Sequence, residues 1–320
     1  MGAGVAGLVT GHRLRGVGSS VLVLERLDLA LKDKPCSGII AYSSFEIFEK
    51  TFGRDFYHLI KVKSPNMVSV RWDGTRKIIP TPVGGVIRKE FDRQLADCYM
   101  DAGGALKDCI RIQQIDFENH IVYCFDDRNK EKLEIAYDKL IGADGACSSV
   151  RYRLTHKPPR LVTGLMTVAE SSSAEILFEQ YEKPHSYEWY IPIGKIAYIG
   201  FLYETKPEAF SYNFLKKTLF NYAKERGVSV TSWRGYIMPT GNDIFLEKDD
   251  CYFVGDAAGL IDSSSYGGIE IAFMSAGILA ECLINKKSYT HEMKSLVTNL
   301  LKIYDKVGNS YNKKTGSQIL

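Results

Sequence analysis

Gly2-Ala3-Gly4-Val5-Ala6-Gly7 stands at the start of the chain, ahead of a helix expected over 5–15 and the apolar run Val21-Leu22-Val23-Leu24. The spacing Gly-x-Gly-x-x-Gly has a mechanical reading. Gly2 permits a tight turn, Gly4 lets the backbone approach a pyrophosphate, and Gly7 lets a helix pack closely on a strand. The amino end of that helix then faces negative charge. Glu25 lies 18 residues beyond Gly7, at the end of the next strand. A carboxylate there accepts hydrogen bonds from an adenosine ribose, and Arg26 is grouped with it. The motif alone also occurs as a plain glycine-rich turn beside an exposed Glu. A strand of about five or six residues normally precedes it. Here Gly2 follows Met1 directly, so the expected fold is α/β (α+β), Rossmann-like but lacking its usual first strand.

Two later stretches complete one pocket. Asp144-Gly145-Ala146-Cys147-Ser148-Ser149-Val150-Arg151 follows the apolar Leu140-Ile141-Gly142, and Gly255-Asp256-Ala257-Ala258-Gly259 follows Tyr252-Phe253-Val254. An Asp at such a turn can accept hydrogen bonds from ribityl or ribose hydroxyls. The alternative is two Asp turn caps, because Asp-Gly is a common turn signal. Gly267-Gly268-Ile269 opens a helix expected over 268–284, whose free N–H groups would stabilise charge on a flavin pyrimidine. Three motifs in this order are read as an FAD site.

The rest of the chain alternates helical and strand patterns. A short helix is expected over 42–52 and a β pattern over 67–79, including Val68-Ser69-Val70-Arg71-Trp72 and broken by Gly84-Gly85. An amphipathic helix is expected over 88–102, with Phe91, Leu95 and Cys98 on one face. Short strands near Ile110, Val122 and Leu133 follow. Residues 161–238 are rich in aromatic and β-branched types, and read as an antiparallel sheet interrupted by a helix over 210–226. The expected organisation is a discontinuous FAD-binding domain (1–60, 86–159 and 240–320) and a substrate-binding domain (61–85 and 160–239).

Composition narrows the partners. Forty-one basic against 38 acidic residues give a net charge of +3, too balanced for a nucleic-acid binder. The seven cysteines are odd in number and show no Cys-x-x-Cys pair, which argues against a disulfide framework or zinc site. The six histidines, at 12, 58, 120, 156, 185 and 291, show no ligand spacing. No secretory signal precedes the glycine motif and no apolar run spans a bilayer. The expectation is a cytoplasmic protein, with peripheral membrane contact left open.

The motifs, with Arg88-x-x-Phe91-Asp92, resemble the para-hydroxybenzoate-hydroxylase-type flavoproteins across nearly the whole chain. That resemblance implies that Arg88 contacts the cofactor and that Asp256 binds the ribityl chain. Within that group, Lys34-Pro35-Cys36-Ser37-Gly38 is similar to the Lys-x-Cys-Gly-Gly segment of geranylgeranyl reductases. Tyr187-Glu188-Trp189-Tyr190-Ile191-Pro192 is similar to their Tyr-x-Trp-x-Phe-Pro motif. Ser37 and Ile191 depart from those patterns. The resemblance implies FAD, a Cys36 beside the flavin, and an apolar channel lined by Tyr187, Trp189 and Pro192. It further implies reduction of C=C bonds in an isoprenoid or similar lipid, with electrons from NAD(P)H or ferredoxin. A thiol of reference pKa about 8.5 is mostly protonated at neutral pH and can act as a proton donor. Halogenases carry Trp-x-Trp-x-Ile-Pro and an active-site Lys, for which Lys61 and Lys63 lie in a suitable region. The alternative is thus a flavin monooxygenase or halogenase acting on an aromatic substrate, and the third a weakly binding, non-catalytic flavoprotein.

Overall fold

The computed structural model describes residues 1–71, 73–180, 186–203 and 212–315. In chain order, α1 (Val5–Gly16) and β1 (Leu22–Leu24) precede β2 (Ile39–Ala41), α2 (Tyr42–Phe52) and β3 (Ile60–Ser64). Then come β4 (Met67–Val70), β5 (Arg76–Ile79), β6 (Val83–Val86), α3 (Arg88–Asp101) and β7 (Ala105–Lys107). β8 (Ile110–Asp116), β9 (Ile121–Asp126) and β10 (Glu131–Ala136) lead to β11 (Leu140–Gly142) and α4 (Ser149–Thr155). β12 (Leu161–Glu170), β13 (Leu177–Gln180), β14 (Ser186–Ile193), β15 (Ile196–Tyr203), α5 (Tyr212–Lys224) and β16 (Arg234–Pro239) follow. β17 (Glu247–Lys248), β18 (Cys251–Phe253), α6 (Ile269–Asn285) and α7 (Tyr289–Thr315) complete the described order. Trp72, His185 and Phe210 of the sequence reading lie outside the described residues.

Two compact units result. The first gathers Met1–Lys32, Asp92–Arg160 and Pro239–Tyr304. Its strands include two parallel pairs, β1 with β7 and β11 with β18. Residues 1 and 2 bridge them. The Gly2 N–H donates to the Leu24 carbonyl at 2.7 Å, the Ala143 N–H donates to the Met1 carbonyl at 2.8 Å, and Met1 N donates to the Ile141 carbonyl. These two residues therefore occupy the place where a middle strand would deliver its carboxyl end, and α1 is the first regular element described. α1 is buried along Val5 to Gly11 because it packs on α6 and β1. The strands β8, β9 and β10 form a separate antiparallel meander.

The second unit holds Asp33–Phe91, Leu161–Met238 and Asp305–Leu320. It takes in residues 33–60, grouped with the cofactor segments in the sequence reading, because β2 and β3 both pair with β6 in one small sheet. Gly84-Gly85 lies inside β6 instead of breaking the β pattern. A Cβ on Gly84 would meet Phe45 at 2.9 Å and one on Gly85 would meet Val62 at 2.5 Å, so both glycines serve close packing. A larger sheet runs β16-β12-β15-β14-β13-β4-β5. It is antiparallel at every described pairing except the parallel β13–β4 junction.

Register decides what each face of the larger sheet carries, because side chains alternate along a strand. Tyr190, Ala197, Ile199, Leu165 and Phe201 face α5 and pack on Leu219, Tyr222 and Ala223. Tyr187, Trp189 and Ile191, paired with Leu202, Gly200 and Tyr198, point to the opposite face.

Candidate functional site

In the glycine loop, each glycine is bare for a different reason. Gly2 has φ +100°, and a Cβ there would sit 2.2 Å from the Ala143 carbonyl oxygen. A Cβ on Gly7 would sit 2.0 Å from the Gly2 carbonyl oxygen. A Cβ on Gly4 would meet nothing within 4 Å, so here the backbone fronts open space. Gly4 is also the N-cap of α1, which has neither a side-chain cap nor an acidic residue in its first turn. Uncapped amides beside an open glycine suit a pyrophosphate.

Glu25 is buried behind this loop. Its Oε2 accepts from the Ala3 N–H and its Oε1 from the Leu27 N–H, both at 3.0 Å. Lys32 Nζ lies 2.9 Å from Oε2 and also donates to the Ala3 carbonyl. Burial pushes the Glu25 carboxyl up, but the Lys32 ammonium and these N–H donors outweigh it and hold the group below its ordinary value. Three donors leave lone-pair capacity on the carboxylate for a ribose hydroxyl. Lys32 was not legible in the sequence, since nothing in its spacing ties it to Glu25. Arg26 is exposed beside it.

Asp144 is committed to α4. It accepts from Ser148 Oγ at 2.6 Å, from the Ser149 N–H at 2.7 Å and from the Val150 N–H at 3.2 Å. Ser148 caps α4 in turn through the Arg151 N–H. Gly145 follows at φ +85° with open space before it. Arg151 is buried and reaches Asp243, with Nη2 2.7 Å from Oδ1 and Nη1 3.0 Å from the carbonyl oxygen. This partner sits 92 residues away, which no local pattern signals. Gly259 closes the same knot, since a Cβ there would lie 2.1 Å from the Asp243 carbonyl oxygen. Replacing Arg151 with Met should cost about 2–4 kcal/mol by stranding Asp243. Urea unfolding checks this, and an unchanged midpoint would show that the pair contributes nothing.

Gly255 (φ +56°) is wedged between Ala6 and Ala272 and donates its N–H to Ser275 Oγ at 3.0 Å. This brings the late motif onto α1. Asp256 follows, half-buried, in a short 3-10 turn. Gly267 lies ahead of α6, and Gly268 is its N-cap without a side-chain cap, with Ile269 the first helical residue.

The second unit carries the remaining sequence-derived residues. Arg88 is buried at the start of α3. Tyr187 and Trp189 are adjacent, with ring centroids 5.5 Å apart, and Trp189 lies on the bare Gly200, where a Cβ would come within 2.3 Å of the indole. Pro192, three residues on in an unbroken ladder, alternates to the other face. Cys36 is half-buried, with its Sγ accepting from the Gly38 N–H at 3.4 Å. Lys61 pairs with Glu90 at 2.7 Å and Lys63 lies over the Tyr42 ring.

A further polar group went unread in the sequence. Glu188 sits inside the Tyr/Trp motif on the α5 face and is 2% exposed. Among the described residues its Oε1 has no hydrogen-bond partner, nor has the Tyr222 hydroxyl. Arg226 pairs with the cross-strand neighbour Glu179 and stacks on Tyr222. Burial, with the like charge of Glu179, pushes the Glu188 carboxyl up to about 9.

Comparison with known proteins bears on the fold and the cofactor. The family described as FAD binding domain matches residues 1–194. An uncharacterized protein of Methanosarcina barkeri is 25% identical over 296 residues, covering 88% of this chain and 73% of its own. Protein CbrA of Escherichia coli O9:H4 is 25% identical, covering 97% and 88%. Among solved structures, a geranylgeranyl bacteriochlorophyll reductase-like protein from Thermoplasma acidophilum superposes with a TM-score of 0.79 at 17% identity, covering 98% of this chain and 85% of that one. The flavin-dependent halogenase CmlS gives 0.72 at 18% identity, covering 97% and 62%. Likeness at such identities speaks for the fold alone. Among the described residues no helix is long and apolar enough to cross a membrane.

Proposed function

Because the chain belongs to the FAD binding domain family of flavin-dependent oxidoreductases, with FAD as its cofactor, we propose that it reduces carbon–carbon double bonds of an isoprenoid or similarly apolar substrate. In this reading the first unit holds FAD. Gly2, Gly4 and Gly7 cradle the pyrophosphate, Glu25 and Arg26 take the adenosine side, and Gly145, Gly255 and Asp256 take the ribityl side. Asp144 contributes by fixing the start of α4. The N-terminus of α6, at Gly267, Gly268 and Ile269, faces the pyrimidine edge, and Arg88 is a further cofactor contact. Reduced FAD supplies a hydride to one alkene carbon. Cys36 supplies the proton to the other, and Tyr187 and Trp189 wall the substrate. NAD(P)H or ferredoxin is the proposed electron donor.

The observation that carries this reading is a half-buried thiol in a glycine-pinned loop of the unit that presents an aromatic sheet face. The ion pairing of Lys61 and the Tyr42 contact of Lys63 weigh against either serving as a halogenase lysine. The test is anaerobic reduction of the holoprotein followed by a geranylgeranyl lipid, watching the flavin spectrum. Reoxidation without oxygen supports ene-reduction. A flavin that stays reduced until oxygen enters would turn the reading toward a monooxygenase or halogenase.

Cys36→Ser should keep flavin and lipid binding but slow this reoxidation by about 10²-fold or more, within the range that general-acid catalysis contributes. Unchanged turnover and product pattern would remove Cys36 as the proton donor.

A further inference from the structure

Helix α5 carries Lys216, Lys217 and Lys224 and no acidic residue. Its inner side is spent on the large sheet, where Leu219, Tyr222 and Ala223 are buried and Leu215 packs beside them. Helical spacing sets what remains outside. Seven residues make nearly two turns, so Lys217 and Lys224 fall in one line along the helix. Phe214 and Phe220 flank that line on either side, and both are exposed. Glu225, just beyond the helix, is drawn to Arg226 at 3.8 Å. Among the described residues neither Lys217 nor Lys224 joins an ion pair.

The aromatic rings are held at the surface by their neighbours. Trp233, half-buried just before β16, lies along three α5 residues that follow one another at about one turn. Its Nε1 donates to the Tyr212 hydroxyl at 2.5 Å, its ring meets Phe220 edge-on with centroids 5.6 Å apart, and Lys216 Nζ stands 4.5 Å over it. On the other flank Phe214 leans on Tyr203, with ring centroids 6.1 Å apart. The result is a surface of fixed aromatic rings with unpaired ammonium groups between them.

We propose that this face of α5, together with Trp233, docks on an anionic lipid bilayer. The lysines meet the lipid phosphates, while Phe214, Phe220 and Trp233 enter the headgroup region, where aromatic rings are favoured. A second copy of the chain does not suit the surface, because a symmetric contact sets lysine against lysine. The charges alone fit an acidic protein; the phenyl rings beside them favour a partner that is anionic outside and hydrocarbon beneath. α5 covers the sheet face opposite Tyr187 and Trp189, so docking leaves that aromatic wall uncovered. The contact holds an enzyme of apolar substrates at the phase that dissolves them. That purpose rests on the proposed ene-reduction; the docking surface itself does not.

The decisive experiment needs no substrate. The holoprotein is sedimented with vesicles of phosphatidylcholine, with and without phosphatidylglycerol as the anionic lipid, at low and high salt. Binding should need phosphatidylglycerol and fall as salt rises. Lys217→Gln with Lys224→Gln should weaken it about 30-fold, the summed contribution of two lysines beside an anionic surface. Lys217→Arg with Lys224→Arg keeps the charge and should bind as wild type does, which separates lost charge from disturbed folding. Brominated acyl chains should quench the fluorescence of Trp233, and Trp233→Phe should still sediment but lose that quenching. Failure to bind anionic vesicles, full binding by the glutamine pair, loss of binding in the arginine pair, or undiminished quenching in Trp233→Phe would each overturn the proposal. Dimers seen by light scattering in place of vesicle binding would make a second copy the occupant and overturn it equally. Vesicle binding by a protein whose reduced flavin lipid never reoxidises would refute the reductase reading alone.

Discussion

Gly7→Ala yields a protein that purifies without flavin and binds added FAD at least about 100-fold more weakly, a loss of about 3 kcal/mol. The new Cβ would sit 2.0 Å from the Gly2 carbonyl oxygen and 3.3 Å from the Ala143 Cβ. Backbone cannot yield as a flexible side-chain tip can, so α1 must withdraw from the loop whose open face Gly4 provides. Absorbance of the purified protein at flavin and protein wavelengths, with a fluorescence titration of FAD, reads the effect. Gly16→Ala is the control, because a Cβ there meets nothing within 4 Å, and this variant should keep its flavin. Normal flavin content in Gly7→Ala would mean that the cradle is not the pyrophosphate site.

Glu188→Gln makes the protein more stable in mild alkali. The Glu188 carboxyl is raised from 4.5 to about 9 in the folded chain. Between these values the folded state holds a proton that the unfolded state has lost, so stability falls as pH rises through the window. Below the lower value the contribution is complete; above the upper value it is gone. A tenfold change in a proton-binding equilibrium is worth about 1.4 kcal/mol, which bounds the loss at pH 8 at about 4–5 kcal/mol. Gln carries no such titration. Urea unfolding at pH 5, 7 and 9 should therefore show wild type and variant close together at pH 5 and diverging upward, with the variant ahead. Parallel curves at all three pH values would show that Glu188 ionises normally in the fold.

Both residues illustrate what a sequence can and cannot disclose. Gly7 is legible because its constraint is local, set by a tight turn and a helix packing on a strand a few residues away. The FAD cofactor and the mixed α/β fold follow from three such constraints in order. Glu188 is not legible. In Tyr187-Glu188-Trp189 the polar residue of an alternating strand reads as solvent-facing, yet α5 covers that side with Leu219, Tyr222 and Ala223. Asp144 shows the reverse limit: its position signals a polar turn, but only the folded chain reveals that its oxygens are spent on Ser148, Ser149 and Val150. Gly84-Gly85, read as a break, is a strand thinned to let Phe45 and Val62 in.

The wedge of Gly255 between Ala6 and Ala272 has a consequence for biosynthesis. Met1 and Gly2 complete their hydrogen bonds only after Ala143 has been made, and the floor under α1 waits for α6. At about 5–20 residues per second, translation leaves the glycine loop without its late contacts for roughly 15–50 s. Throughout that interval the nascent chain displays the side of α1 that α6 later covers. A pause in translation before α6 would prolong that exposure.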